Sequence, residues 1–513
     1  MKPIRLVSGF LTVGMWTMLS RVLGFVRDEM ILAYLGTGPL YEDYVVAFRL
    51  PYMFRRFFAE GAFNMAFVPM FAKKLEGDED PQKFARDAFA GLASVLIVLT
   101  LLAQLAMPWL IFVLASGFVG QEQFDLSVEF GRIAFPYILF ISLAALLSGV
   151  LNATGRFAAA AAAPVLLNVL LVSGMAAAAW IGGDVARTLI WMIPIAGLAQ
   201  MALVWVAASR AGFSIKPEWP RMTPELSKLV RIAIPAALAG GVVQINLLVG
   251  QQVASYFDKA VGWLYAADRL YQLPLGVVGI AVGIVLLPDL SRRLKAKDDD
   301  GARDAFSRAS EIALGLTIPS AVALIVIPLP LVSVLFQRGA ATADDSAAIA
   351  VAVTIYGLGL PAFVLQKILQ PLFFAREDTQ SPFRYAVIAM VINAAVALGL
   401  APVIGWIAPA IATTLAAWAM VAFLGVGARR MGTVARFDAR FHRRIWRIVA
   451  ASLLMGAVLW ISSVSLSPFL GMAGWRYLAL FILVSIGILS YFGLGQLLGA
   501  FRLSEMRATL RRG

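Results

Sequence analysis

The 513-residue sequence contains no cysteine and a single histidine. The first absence removes disulfides, thiol nucleophiles and cysteine metal sites. The second removes any multi-histidine metal centre, because His442 stands alone in a basic run. Charge is scarce as well. Asp, Glu, Lys and Arg make up 14% of the chain, against ~25% in soluble domains. No long polar segment interrupts the apolar runs, and no GxxxxGK[ST] phosphate loop is present, which argues against direct ATP hydrolysis.

What fills the space is apolar. Such residues form 61% of the sequence, where ~45–50% is ordinary, and the mean hydropathy is +0.83. The excess lies in many long runs that no water-facing surface could cover. This excludes a soluble enzyme, a disordered chain and a fibrous protein, and predicts an all-α polytopic membrane protein. A spanning helix needs ~20 mostly apolar residues. Fourteen stretches qualify: 6–34, 43–72, 87–116, 127–151, 159–182, 187–208, 228–256, 262–290, 306–336, 346–375, 383–402, 405–428, 446–466 and 475–500. The first, second, seventh and eighth are interrupted by charge or by Gly and Pro, so bent or unwound helices are expected there. Residues 1–5 resemble the start of a signal peptide. The run that follows carries Arg21, Arg27 and Asp28 and offers no small-residue cleavage site, so it is expected to stay as the first membrane helix.

The formal net charge is +13. Such a balance can indicate nucleic acid, but the placement of the cations argues otherwise. Of the 43 Lys and Arg, 31 lie at the termini and after even-numbered spans, and four (Arg187, Lys259, Arg338, Arg476) lie on the opposite side. The positive-inside rule then places both termini in the cytoplasm. Eight cations remain, inside or at the rim of predicted spans: Arg21, Arg27, Arg49, Arg55, Arg56, Arg132, Arg269 and Lys367. An Arg at mid-membrane costs ~2.5–3.5 kcal/mol even on the gentlest scale, so these should face water, pair with acids or snorkel. The best-placed acids are Asp28, Asp43, Glu60 and Asp268, which leave a surplus of about four cations, or about two if Glu29 and Glu129 are counted as well. Surplus buried positive charge suits an anionic ligand, and the planar Arg fork suits phosphate. At ~100° per residue, Arg49, Arg56 and Glu60 share a helix face, as do Arg21 and Asp28, while Arg27 points about 120° from Arg21.

The chain also repeats itself. Arg49-Leu50, Pro69 and Lys74-Leu75 recur as Arg269-Leu270, Pro288 and Arg293-Leu294, and the stretch from Phe135-Pro136 to Ala153-Thr154 is echoed by Leu360-Pro361 to Asp378-Thr379. The near-constant offset indicates two parallel copies of a six-helix unit, an architecture suited to alternating access. The expected division is an N-terminal lobe over 1–220, a C-terminal lobe over 221–440, and two further helices with a cytoplasmic tail over 441–513.

Several stretches together carry a family resemblance: Ser20-Arg-Val-Leu-Gly-Phe-Val-Arg27-Asp28, Val46-Ala-Phe-Arg49-Leu-Pro51, Arg55-Arg56 with Phe58-Ala-Glu60-Gly-Ala-Phe, Phe67-Val-Pro69, Ala267-Asp-Arg269-Leu and Ala375-Arg-Glu-Asp378-Thr379. The whole chain resembles the MurJ (MviN) family of lipid II flippases, within the MATE-like exporter superfamily. The resemblance implies two six-helix lobes around a cationic cavity, and a polyprenyl-tail groove formed by the last two helices. It implies a transporter, not an enzyme, of the bacterial cytoplasmic membrane. Its cargo would be undecaprenyl-pyrophosphate carrying the peptidoglycan disaccharide-pentapeptide, and cell-wall synthesis proteins would be further partners. Arg21, Arg27, Asp28, Asp43, Arg55, Arg56 and Arg269 would be sensitive cavity positions. Glu60 lies in the same motif, and Arg49 stands where related sequences often carry Lys. Arg21, Arg27, Arg49, Arg55, Arg56, Arg132, Arg269 and Lys367 are the expected headgroup contacts. Asp28, Asp43, Glu60 and Asp268 are the expected pairing and gating groups. No cofactor or metal is expected, and membrane potential or an ion gradient would supply the drive.

Four rivals share parts of this pattern, one of them a multidrug antiporter of the same superfamily, disfavoured because cationic drugs want an acidic cavity. A flippase for another polyprenyl-linked sugar would use the same cations. A membrane enzyme acting on lipid-linked sugars would need positioned acids, bases or a metal outside the spans. There the densest carboxylate cluster is Asp298-Asp299-Asp300, read as solvated charge. A scaffold without transport would leave eight costly cations unexplained.

Overall fold

The computed structural model describes residues 6–55, 62–77, 80–215 and 218–501. Among these the regular structure is helical, with seventeen α-helices and no strand. The chain divides into two compact units, Met1–Gly262 with Arg338–Ala341, and Trp263–Gln337 with Thr342–Gly513.

In the first unit α1 (Leu6–Leu35) packs along α7 (Ala158–Ile181), and α2 (Pro39–Arg55) against α5 (Glu122–Ala134). α6 (Tyr137–Ala153) and α8 (Val185–Arg210) pack together, and α9 (Pro224–Ala254) lies on α3 (Ala62–Glu76) and α4 (Pro81–Ala115). The predicted fourth span is two helices, α5 and α6, parted at Phe135-Pro136. Close packing here depends on small residues, as expected where lipid removes the hydrophobic drive between helices. A Cβ on Gly197 of α8 would come within 2.7 Å of the Tyr137 ring on α6. Tyr137 is fully buried and donates to Gln200 Oε1 of α8 (3.4 Å), whose Nε2 donates to Ala163 O of α7 (2.8 Å).

The second unit holds most of α10 (Ala260–Lys295), then α11 (Asp299–Val326), α12 (Pro328–Phe336), α13 (Ala343–Phe374), α14 (Gln380–Ile404), α15 (Ala408–Ala428), α16 (Ala439–Leu470) and α17 (Arg476–Leu497). One core gathers Leu290, Phe306, Ile368, Leu372, Phe373 and Leu424. A second joins Ile327 to Met455 and Leu459 of α16 and to Leu483 and Tyr491 of α17.

Polar connectors set the helix starts. Asp80, Asp184, Thr223, Asp298, Thr342 and Asp438 each accept a hydrogen bond from a backbone N–H three residues on, satisfying donors that a helix leaves open. Asp298, read from sequence as solvated charge, is thus the cap of α11, and it also pairs with Arg293 at 3.4 Å.

Among the described residues nine stretches are long and apolar enough to cross a membrane. They contain ten of the fourteen predicted spans, Gln380–Ala435 taking two. The other four are the first, second, seventh and eighth, the ones broken by charge or by Gly and Pro. Three of these four are nevertheless continuous helices, α1, α9 and α10, with α10 running through Pro274 and Pro288. Large apolar side chains stand exposed along the long helices, Leu105 at 79% and Trp180 at 90% among them. In water such a surface would drive association, whereas hydrocarbon solvates it.

Candidate functional site

The first unit carries a charge cluster on α1. Arg27 directs Nε and Nη2 to Asp28 Oδ1 (3.0 and 2.7 Å) and Nη1 to Asn168 Oδ1 of α7 (2.9 Å). All three guanidinium nitrogens are engaged. The side chains of Arg27 and Asp28 are 12% and 20% exposed. Asn168 is buried and returns its Nδ2 to Ser20 O (2.9 Å), one amide thus bridging two turns of α1. Gly24 lies beneath it, where a Cβ would stand in ordinary contact with the amide at 3.5 Å. The helical-wheel expectation that Arg27 departs from the Arg21 face has a direct cause here: Arg27 turns to α7, while Arg21 is exposed. Sequence reading missed Asn168. Its available signal was a lone amide in an otherwise almost wholly apolar helix, a costly placement unless it is bonded.

On α2, Arg49 and Arg55 are half-buried, and the Arg55 guanidinium lies 4.9 Å from the centre of the Tyr52 ring, a cation–π contact. Arg56 and Glu60 fall outside the described residues. Arg132 is exposed on α5 and is tied to α4 reciprocally: its Nε donates to Gln104 O (3.3 Å), and Gln104 Nε2 donates to Arg132 O (2.8 Å).

Two adjacent carboxylates of α2 are fully buried. Asp43 accepts from Ser127 Oγ (2.6 Å), while its Oδ2 meets no donor among the described residues. Glu42, which sequence reading passed over for its neighbour, takes three donors: Gln123 Nε2 (3.0 Å), Val261 N (2.9 Å) and Gly262 N (3.3 Å). The last two belong to the first turn of α10, where a helix presents open N–H groups and the positive end of its dipole. Nearby, buried Glu29 of α1 forms an ion pair with Arg338. The backbone N–H of Ala340 donates to Ala33 O (2.9 Å), fastening residues 338–341 to the last turn of α1.

In the second unit, Asp268 and Arg269 each reach one turn along α10. Arg269 lies over the Tyr265 ring, 4.4 Å from its centre, and donates to the Tyr265 hydroxyl. Asp268 accepts from Gln272. Lys367 is exposed on α13.

The structure therefore joins Arg27, Asp28 and Asn168 in one unit and Asp268, Arg269, Tyr265 and Gln272 in the other. Arginines held by acids, amides and rings can exchange those partners for phosphate oxygens with little loss of bonding. Among the described residues no group of three or more acids or histidines is arranged for a metal ion.

Comparison with known proteins gives a consistent result. The model of the family described as "Lipid II flippase MurJ" matches residues 31–479. The chain is 42% identical over 519 residues to a probable lipid II flippase MurJ of Rhizobium tropici, covering 99% of this chain and 97% of the relative. It is equally similar to the corresponding protein of Rhizobium meliloti (strain 1021), over 518 residues. Among solved structures, a lipid II flippase MurJ in an inward closed conformation superposes with a TM-score of 0.79 at 24% identity, covering 95% of this chain and 98% of that one. An inward-facing MATE family multidrug transporter gives a TM-score of 0.67 at 16% identity, covering 82% and 96%. At these identities the two structures speak for the fold, whereas the family model and the rhizobial relatives speak for descent, and the chain belongs to the lipid II flippase MurJ family.

Proposed function

We propose that this chain moves lipid II, an undecaprenyl-pyrophosphate lipid bearing the peptidoglycan disaccharide-pentapeptide, from the cytoplasmic to the outer leaflet of the bacterial inner membrane. It is a transporter and not an enzyme. The diphosphate cannot cross hydrocarbon unaided, because its charge would lose its water. Arginines supply replacement hydrogen bonds, while the apolar tail stays in lipid. Arg21, Arg27 and Arg269 make the principal diphosphate contacts in this reading. Arg49, Arg55, Arg56, Arg132 and Lys367 extend the cationic surface, and Asp28, Asp43, Glu60 and Asp268 hold the cations between cargoes. The lobes work by alternating access, driven by membrane potential or an ion gradient. Both termini are cytoplasmic, which the 31-to-4 division of Lys and Arg supports.

The observation that carries the reading is Arg27: an arginine 12% exposed in the first membrane helix, shared between an acid and an amide, in a chain of this family. The test is complementation in cells depleted of their own lipid II flippase, with lipid II on the outer leaflet as readout and membrane levels checked. Wild type should restore exposure, and normally expressed Arg27→Ala and Arg269→Ala should not. A well-expressed wild type that restores nothing would shift the assignment to another polyprenyl-linked cargo.

A further inference from the structure

Six helices take their caps from their own connectors. The first turn of α10 is held by an acid of another helix, 219 residues upstream of Val261. Glu42 of α2 accepts from Val261 N (2.9 Å) and Gly262 N (3.3 Å) through Oε1, and from Gln123 Nε2 of α5 (3.0 Å) through Oε2. Glu42 is 1% exposed and Val261 3%, so water has no access to replace these bonds. Asp43 cannot stand in for its neighbour, because its carboxylate is turned to Ser127 (2.6 Å). Gly262 completes the seat. A Cβ there would come within 2.8 Å of Thr37 O and 3.0 Å of the Tyr41 ring, so this close approach to the turn between α1 and α2 calls for glycine.

The cargo contacts proposed above leave Glu42 without a task, yet the helix it holds carries one of them. Arg269 lies eight residues past Val261 on α10, about 12 Å along the axis at 1.5 Å per residue. Both prolines of the helix, Pro274 and Pro288, come after Arg269, so the stretch from the first turn to the arginine carries no proline kink. An unbroken helix of this length moves as a rod. A shift or rotation of its first turn is therefore passed on to Arg269 and to Tyr265, the ring on which the guanidinium lies.

We propose that Glu42 is a positioning residue for transport: its carboxylate seats the first turn of α10 and thereby sets where Arg269 stands. This rests on the reading of Arg269 as a cargo contact. The role depends on reach and on acceptor oxygens, not on charge. A glutamine at this position offers one oxygen to Val261 and Gly262, and its amide N–H groups meet Gln123 once that residue turns its own amide to present Oε1. An aspartate keeps the charge but is one methylene shorter, so it must either drop the α10 amides or draw them toward α2.

The test pairs outer-leaflet lipid II in the depletion strain with thiol labelling of the purified full chain, which needs no cargo. The chain has no cysteine of its own, and Ala267, fully buried on α10, is a small site for one. Glu42→Gln should keep lipid II exposure within about twofold of wild type, whereas Glu42→Asp should lose about tenfold. Where Arg269→Lys alone costs about threefold, Glu42→Asp/Arg269→Lys should lose no more than Glu42→Asp, because independent roles would multiply to about thirtyfold. In Ala267→Cys protein, Glu42→Asp should speed labelling by N-ethylmaleimide by about threefold or more, and Glu42→Gln should leave the rate unchanged. Equal losses from the Gln and Asp variants, losses that multiply in the double variant, or a labelling rate indifferent to Glu42→Asp would each overturn the proposal. A wild type that restores no lipid II exposure would remove the transport reading instead, and the labelling rates would still decide whether Glu42 seats α10. Each protein is first checked for a wild-type melting transition, so that misfolding is separated from a displaced helix.

Discussion

Arg27 and Arg269 are both arginines within long helices, yet the chain treats them differently. Arg27 is clamped: an acid takes two of its nitrogens, and an amide 141 residues away takes the third. Arg269 rests on the ring and hydroxyl of Tyr265, one turn back on its own helix. The clamp fixes the plane of the fork, because three directed bonds admit one orientation. The ring fixes mainly the position of the charge, because cation–π attraction varies slowly with rotation. One cation is built for geometry and the other for field.

Substitutions can break this contrast, and their expected effects run from large to small. Asp28→Ala should be the most damaging. It strips the carboxylate from a largely buried guanidinium, an imbalance worth ~3–5 kcal/mol in dry surroundings and somewhat less here. Outer-leaflet lipid II in the depletion strain should fall by about a hundredfold (about 1.4 kcal/mol per decade), with protein levels on immunoblots reporting any loss of folding. Next, Arg27→Lys should reduce exposure by roughly tenfold, because an ammonium cannot replicate the three-point fork. Arg269→Lys should stay within about threefold, because a lysine can still sit over the ring. Equal losses at the two positions would end the distinction. Asn168→Leu tests the amide alone and should approach the Arg27→Lys value, while Tyr265→Phe, which keeps the ring, should be nearly silent.

The smallest expected effect lies outside the spans. Burial acts to raise the pKa of Asp438, because it disfavours the charged form, but the Phe441 N–H and Arg308 outweigh it and hold the carboxyl below its usual range. A depressed carboxylate contributes stability that is present above its unfolded value and is lost as pH falls through the folded one. Wild type should therefore lose melting temperature below about pH 4 more steeply than Asp438→Asn, which should melt slightly lower than wild type at pH 7. Parallel melting curves of the two proteins across that range would remove Asp438 from the account.

Much of the helical framework was legible because long apolar runs leave a membrane chain few options. Among the described residues each of the fourteen stretches falls on a helix or a helix pair. Where charge, Gly and Pro suggested a bent or unwound helix, the unwinding is absent from α10. α10 stays helical through Pro274 and Pro288, since neighbouring helices can satisfy the freed carbonyls. The cations were legible from cost alone, and so was Asp28 as an acid for them, but their neutral partners were not. Asn168 and Gln123 are neutral and far from their partners in sequence, so charge counting cannot find them. Glu42 was hidden differently: with Asp43 beside it, spacing offers no way to choose, and only the fold brings the Val261 and Gly262 amides to Glu42.

In the proposed function, the bonds that Arg27 makes at rest also bear on how fast cargo leaves. All three of its nitrogens are turned toward Asp28 and Asn168. Where phosphate oxygens take the place of either partner, binding appears as the difference between two nearly equal sets of bonds. Such an exchange yields modest affinity from strong individual contacts. It also gives the residues that hold the arginine at rest a second task, as competitors that displace the bound diphosphate. In that reading turnover depends on Asp28 and Asn168 returning, and a tighter grip on the cargo would slow the cycle.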